Sequence, residues 1–320
     1  MSALTHHWII GPGALGRLAG LRLVSCGSRV TLVGRRALPE GQTLITPEGE
    51  RLAATLATTT LDALAAAPPG AFPAPDIVHL ATKAYAAEAA HEALAPRLPA
   101  GTPLVLWQNG FGCQPRLTAR HDGPVLCATT TEGAFVESDD RVVHAGHGET
   151  LIGALSAPPG EHGELAAELA GLLSAAGLPA QAVDDIRRRL WHKLAVNAAI
   201  NPLVARFRLR NGELRDPPYR HQVEALIEEV AALLAAEGIA PPAGQGTAGW
   251  RALVWRVIDG TAGNRASMLQ DVLAGRPTEH EAILGPLLDA AATHGLQAPR
   301  LVELAAWLRQ RELAGNGNSC

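Results

Sequence analysis

Cysteine is scarce. The 320 residues hold four, Cys26, Cys113, Cys127 and Cys320, far apart and never spaced as CxxC. This argues against a disulfide framework and fits free thiols in a reducing cytosol. No HExxH pattern or Cys/His cluster points to a metal hydrolase, and no GxSxG offers a nucleophile elbow. Charge is also thin, at 18% of residues, with a net of −4 and a pI near 6.3. Nothing electrostatic therefore calls for nucleic acid or an anionic membrane. The basic run Arg187-Arg188-Arg189 reads as solvated helix surface. No uninterrupted apolar run of about 18 residues suggests a membrane span, no N-terminal signal pattern appears, and no fixed period repeats. The expected location is cytoplasmic.

What is present is ample apolar material, 47% of the chain, in a length that suggests two domains. A short apolar run, Trp8-Ile9-Ile10, meets Gly11-Pro12-Gly13-Ala14-Leu15-Gly16. A helical pattern with Leu18, Leu21, Leu23 and Val24 follows, and then a second strand from Arg29 to Val33. Strand, GxGxxG, helix and strand in this order form the context in which the glycine motif binds a dinucleotide. The first glycine permits a tight turn, the second a close approach of backbone to pyrophosphate, and the third close helix–strand packing. An NAD site usually closes its second strand with an acid for the ribose hydroxyl. Here the strand runs into Gly34-Arg35-Arg36, with no acid before Glu40. Arg35 suits a 2′-phosphate, so NADP(H) is the expected cofactor; the alternative is a plain surface arginine.

Residues 42–60 read as a hairpin about Pro47-Glu48-Gly49, residues 61–67 as helix, and the Pro-rich 68–75 as a loop. The strand at 77–81 delivers Thr82-Lys83, and the strand at 104–107 delivers Gln108-Asn109-Gly110. In open α/β sheets ligands bind beyond the carboxyl ends of strands, which is where Lys83 and Asn109 fall. The bland alternatives are a favoured Asn-Gly turn and a strand-end lysine. Strands at 125–131, continuing to 135, at 142–144 and at 151–153 would extend the sheet, and a helix would span 161–176. The fold class expected is α/β: a Rossmann-type NADP-binding domain over 1–184, then an all-helical substrate and catalytic domain over 185–320. A cleft between such domains is a common substrate site.

The stretch Trp191-His192-Lys193-Leu194-Ala195-Val196-Asn197-Ala198-Ala199-Ile200-Asn201-Pro202 stacks Lys193, Asn197 and Asn201 at i, i+4 and i+8 of a helix. Buried polar groups are costly unless partnered, so this face should meet a ligand or a polar network. The alternative is asparagines acting as caps and a lysine snorkelling to solvent. Pro202 should end or kink the helix. Further helices are expected over 222–237, 247–259, 279–294 and 299–313, with Gly238, Gly260 and Gly295 as stops. Asn211-Gly212-Glu213-Leu214-Arg215 and Ser267-Met268-Leu269-Gln270-Asp271 with Thr278-Glu279 also stand out. Ser267 and Thr278 could be caps, and Glu279 a first-turn acid.

Taken in order, GPGALG, ATKAY, QNGFG, ATTT, LWHKLAVNAAINPL, NGELR, ASMLQD and PTE resemble the ketopantoate reductase family, from Gly11 to about Leu288. The glycine loop is shared by many dehydrogenases, whereas LWHKLAVNAAINPL followed by NGELR and SMLQD is specific. The resemblance implies NADPH-dependent reduction of 2-dehydropantoate to pantoate. By matching position, Gly11, Pro12, Gly13, Ala14, Leu15 and Gly16 would hold the pyrophosphate and Arg35 the 2′-phosphate. Lys83, Asn109 and Ala134 would contact cofactor. Lys193 would donate the proton. Asn197, Asn201, Asn211 and Ser267 would hold the substrate's hydroxyls and carboxylate, with Asn109 near it. Glu279 would reach the cofactor side, with Glu281 as the competing acid two residues on. No role attaches to Glu132 or His192. The alternatives are a reductase of another branched 2-keto acid and a non-catalytic NADP(H) sensor. The expected partner is a small 2-keto acid, with a homodimer left open as the assembly.

Overall fold

His6–Ile10 is buried at every position and forms β1, which turns through Gly11–Gly13 into α1 (Ala14–Ser25). β2 (Arg29–Gly34) lies parallel to β1. The computed structural model describes residues 5–68, 70–155, 162–242 and 244–316. β3 (Gly41–Ile45) and β4 (Arg51–Thr55) make the expected antiparallel hairpin, whose turn holds Gly49 at φ +86°. Residues 57–60 leave that hairpin. They form β5 (Ala57–Thr60), parallel to β2, because the strand after a hairpin excursion still has an open edge of β2 to pair with. Then follow α2 (Leu61–Ala66), β6 (Ile77–Leu80), α3 (Ala84–Leu94), β7 (Leu104–Leu106), α4 (Cys113–Arg120) and β8 (Val125–Thr130). Sequence reading passed over α4, which buries only Cys113, Gln114 and Leu117. That stripe is too short to give a clear period.

Beyond β8 come β9 (Gly133–Ser138), β10 (Arg141–Gly146), β11 (Thr150–Ala154), α5 (Gly163–Ala175) and β12 (Ala180–Ala182). The main sheet runs β12-β11-β8-β7-β6-β1-β2-β5, with β11 antiparallel to β8 and the other neighbours parallel. Its six strands from β5 to β8 follow the doubly wound order. The order reverses between β1 and β6, so Gly11–Gly13 and Thr82-Lys83 both leave strands at the switch point.

Val142–His144 does not extend this sheet. β10 joins a separate four-stranded sheet, β4-β3-β10-β9, pairing in parallel with β3 and antiparallel with β9. The cause lies in α1. It buries Gly16 through Leu21 and also Leu23, so it needs cover on more than the face that packs on the main sheet. The small sheet packs on it, and the Arg17 guanidinium donates to the carbonyls of Ser138 and Asp139 at the β9–β10 turn (2.8–3.0 Å).

The chain divides into two compact units, 1–108 with 113–187, and 188–320 with 109–112. Among the described residues the second unit is helical: α6 (Ile186–Phe207, from Arg188 on), α7 (Tyr219–Ala236), α8 (Gly246–Gly260), α9 (Ser267–Leu273), α10 (His280–His294) and α11 (Pro299–Asn316). Its core joins Leu194, Ile200 and Leu203 of α6 to residues of the other five, among them Trp250, Leu269 and Leu301. Pro202 does not end α6, which runs on to Phe207. The proline forfeits one helical hydrogen bond, but Leu203, Val204 and Ala205 are buried just beyond it, and that burial carries the helix through. Gly295 closes α10 in the left-handed region at φ +65°, as a C-terminal stop should, whereas Gly260 lies inside the end of α8.

Candidate active site

The glycine turn is built as an anion cradle. Gly11 sits at φ +83°, and a Cβ there would fall 2.6 Å from the backbone nitrogen of Thr82. One at Gly16 would fall 2.8 Å from the carbonyl oxygen of Gly11. At Gly13, the residue before α1, a Cβ would meet nothing within 4 Å. The first two positions are closed by protein and the third is open, which is what a phosphate approaching the backbone needs. No side chain caps α1 and no acid stands in its first turn, so its N–H groups and positive dipole end are left for a ligand. Pro12, Ala14 and Leu15 are half-buried around this opening. The Thr82 hydroxyl, alongside, is buried with no hydrogen-bond partner among the described residues. These residues fit a dinucleotide.

The two arginines after β2 separate. Arg36 makes a bidentate contact with Asp139, one arm at 2.7 Å, which holds the Asp139 carboxyl below its usual range. Arg35 is exposed, and its side chain has no hydrogen bond or ion pair among the described residues. Lys83 is half-buried at the position preceding α3, and Ala134 is half-buried in β9 opposite His144. Glu132 and His144 form a buried pair at 2.6 Å, a structural tie for which sequence gave no role.

At the end of β7 the chain is pinned by polar contacts. Trp107 Nε1 donates to His79 Nδ1 (3.1 Å), and His79 Nε2 lies 2.9 Å from His7 Nδ1. Burial holds His79 neutral, well below the usual imidazole range. Gln108 Nε2 donates to the carbonyl of Leu80 at 2.7 Å. The next four residues, 109–112, belong with the helical unit. Gly110 has φ +83°, and a Cβ on it would stand 2.1 Å from the carbonyl oxygen of Ala282. That oxygen also accepts from Phe111 N at 2.9 Å, and the Phe111 ring packs 5.1 Å from Trp191.

This docking puts Asn109 against Glu279, with Nδ2 donating to Oε2 at 3.3 Å. Glu279 is 7% exposed and immediately precedes α10, where its side chain makes no cap. Its charge reaches Lys193. Burial pushes the Lys193 ammonium down to about 8, against an opposing upward pull from Glu279. The residue keeps some accessible surface, but its charged end is enclosed. That disfavours the snorkelling alternative. A lysine with this poise holds a positive charge at neutral pH and can still give up a proton. Glu281 faces elsewhere: it is exposed and bound to Arg309 at 2.7 Å.

Asn197 and Asn201 follow Lys193 along α6 at steps of about 6 Å, the rise of four helical residues. Their amides make no hydrogen bond among the described residues. Asn211 heads a 3₁₀ turn, Asn211–Arg215, and its Nδ2 donates to Thr261 Oγ1 at 2.9 Å. The Thr261 hydroxyl is itself spent on the Val257 carbonyl (2.6 Å), which fixes the amide's orientation. Asn211 Oδ1 is then a buried acceptor without a partner among the described residues. Ser267 is exposed in the first turn of α9. Ala266 holds the cap position, so the serine hydroxyl is not spent on the helix. Thr278 is no cap either: it is bound to Glu312. The structure thus gathers Lys193, Glu279 and Asn109, lines Asn197 and Asn201 up with the lysine, and shows no hydrogen bond from Asn211 or Ser267 to that group among the described residues. Sequence reasoning missed Asp139 and Glu312. Each acts across a separation of 30 residues or more, and no local pattern signals such a partner.

A doubly wound sheet with an open glycine cradle, followed by a helical unit holding a poised lysine, defines a two-unit protein of dehydrogenase type. Residues 8–157 match the family model for ketopantoate reductase PanE/ApbA, and residues 185–312 match its C-terminal model. A 2-dehydropantoate 2-reductase of Vibrio cholerae is 35% identical over 292 residues, covering 91% of this chain and 92% of its own. The chain belongs to the ketopantoate reductase family. A family structure from Ralstonia eutropha JMP134 superposes with a TM-score of 0.82 at 25% identity, covering 98% of this chain and all of that one. D-mandelate dehydrogenase, solved with NADH and anilino(oxo)acetate, superposes at 0.83 with 22% identity over 98% of this chain and all of its own, a likeness of fold alone.

Proposed function

We propose that the protein is an NADPH-dependent 2-dehydropantoate 2-reductase that forms pantoate for pantothenate and coenzyme A synthesis in the cytoplasm. When bound, NADPH supplies the hydride that reaches the C2 ketone. Lys193 gives its proton to the ketone oxygen, so that an alcohol rather than an alkoxide results. The observation that carries this reading is the enclosed Lys193 ammonium, lowered to about 8 and faced by Glu279. Glu279 supports the charged form before transfer and, with Asn109, Lys83 and Ala134, lines the cofactor. Gly11 through Gly16 bind the pyrophosphate and Arg35 the 2′-phosphate. Asn109, Asn197, Asn201, Asn211 and Ser267 hold the substrate's carboxylate and hydroxyls. As neutral groups they fix it without competing for the proton. The assembly proposed is a homodimer, to be measured by light scattering.

The test is NADPH oxidation with 2-dehydropantoate beside a panel of other branched 2-keto acids. A clear kcat/KM preference for 2-dehydropantoate is expected, and a preference for another acid would reassign the substrate while keeping the chemistry. Tight NADPH binding with no turnover on any keto acid would make the chain a sensor. Lys193→Ala should lower kcat by about two to four decades; near-native kcat would remove the lysine from its role.

A further inference from the structure

We propose that Glu312 of α11 is a positioning residue for Glu279, clamping the residues on both sides of it through one carboxylate oxygen. Glu312 Oε1 accepts from the Thr278 backbone N–H at 2.8 Å and from the Thr278 hydroxyl at 2.8 Å. It also lies 3.2 Å from His280 Nδ1. Thr278 and His280 are 5% and 4% exposed, and Glu312 is half-buried against them. Glu279 stands between them. Its carboxylate accepts from Asn109 Nδ2 at 3.3 Å, and the bracketing clamp holds the backbone that carries it.

A second tie lies one turn away on the same face of α11, where Arg309 binds Glu281 at 2.7 Å. Positions 309 and 312 are neighbours on a helix surface. The first turn of α10 is therefore held to α11 at Thr278, His280 and Glu281, with Glu279 the one member of that run turned toward Asn109 and Lys193. The charged and titratable groups around the clamp are His280 and Glu281 from α10, with Arg309 and Arg311 on α11 itself. Arg311 is spent on the Val272 carbonyl at 2.8 Å. A carboxylate at residue 312 thus sets the place of the acid that faces the lysine without meeting either ligand.

The inference rests on the reading that Glu279 and Lys193 serve the reduction, so the experiment separates the two. Whole protein carrying Glu312→Leu, Glu312→Gln, Glu279→Gln or Lys193→Ala is assayed for NADPH-linked turnover across pH. In the cofactor-free protein, the Lys193 pKa is also read by NMR after reductive methylation. Glu312→Leu should lower kcat about tenfold or more through misplacement of Glu279. It should leave KM for NADPH within about twofold and move the Lys193 titration below about 8, since Glu279 no longer raises it. Glu312→Gln keeps an acceptor oxygen for Thr278 and should recover most of both. If Glu312→Leu fails to fold, Thr278→Val opens the clamp from its other end and should move both readouts the same way. Native kcat and titration in a folded Glu312→Leu or Thr278→Val protein overturns the inference, as does Glu312→Gln behaving like Glu312→Leu. If instead Lys193→Ala and Glu279→Gln keep full activity, the catalytic reading itself falls.

Discussion

Lys193 carries a conflict that its neighbours leave partly unresolved. Burial disfavours its charge more than Glu279 supports it, which leaves it titrating at about 8 rather than 10.5. Reduction needs the protonated form, so kcat should hold at neutral pH and decline as pH rises through about 8, which a pH–rate profile would show. The same shift is a stability statement. Between about pH 8 and 10.5 the unfolded chain binds more protons at this site than the folded one, so folding stability rises with pH there. The slope is at most ~1.4 kcal/mol per pH unit. Below 8 both states are charged and the slope vanishes. Urea unfolding of native protein and Lys193→Met across this range should show the slope in the first and its loss in the second; parallel curves would mean an unshifted lysine. The spacing Lys193, Asn197, Asn201 was legible in sequence because a helix has a fixed period. The preference for Glu279 over Glu281 came from the resemblance alone, because its physical basis depends on where α11 places Arg309 and Glu312.

Among the elements, β1 was legible by its apolar run, Trp8-Ile9-Ile10, and α7 by its helical period. The misreadings share a cause: the local signal was sound, and a distant partner decided the outcome. Val142–His144 is a strand as expected, yet it pairs with β3 because α1 needs covering on its outer side. Pro202 is expected by its own chemistry to end or kink α6; it does not end it, because buried neighbours carry the helix on. The Gln108–Gly112 turn shows the reverse case, where a local residue type is required by a distant contact. Asn-Gly alone reads as a common turn. The structure sets Gly110 at φ +83° and against Ala282 O, so no Cβ fits on either count. Gly110→Ala should keep the fold and displace Asn109 from Glu279. A loss of kcat/KM on the order of a hundredfold, with little change in the circular dichroism spectrum, is expected. Unchanged kinetics would show that this turn tolerates a shift.

For the whole molecule, no described helix is long and apolar enough to cross a membrane, and the two units have separate hydrophobic cores. The family motifs run through both halves, which is why the assignment was legible from end to end while side-chain geometry was not. Separate cores permit separate unfolding transitions. A ligand that binds the folded protein should raise the transition it stabilises by RT ln(1 + [L]/Kd), about 2.7 kcal/mol at a hundred times Kd. NADP⁺ and NAD⁺ share the pyrophosphate cradle and differ at the 2′-phosphate, so their thermal shifts isolate Arg35. In native protein NADP⁺ should give much the larger shift at equal concentration. Arg35→Ala should bring the NADP⁺ shift down to that of NAD⁺ while leaving the latter alone. Arg36→Ala, whose guanidinium is already held by Asp139, should preserve most of the preference. Equal losses for both nucleotides in Arg35→Ala would move the phosphate contact elsewhere. Loss of preference in Arg36→Ala alone would mean that the Asp139 pair opens when the nucleotide arrives.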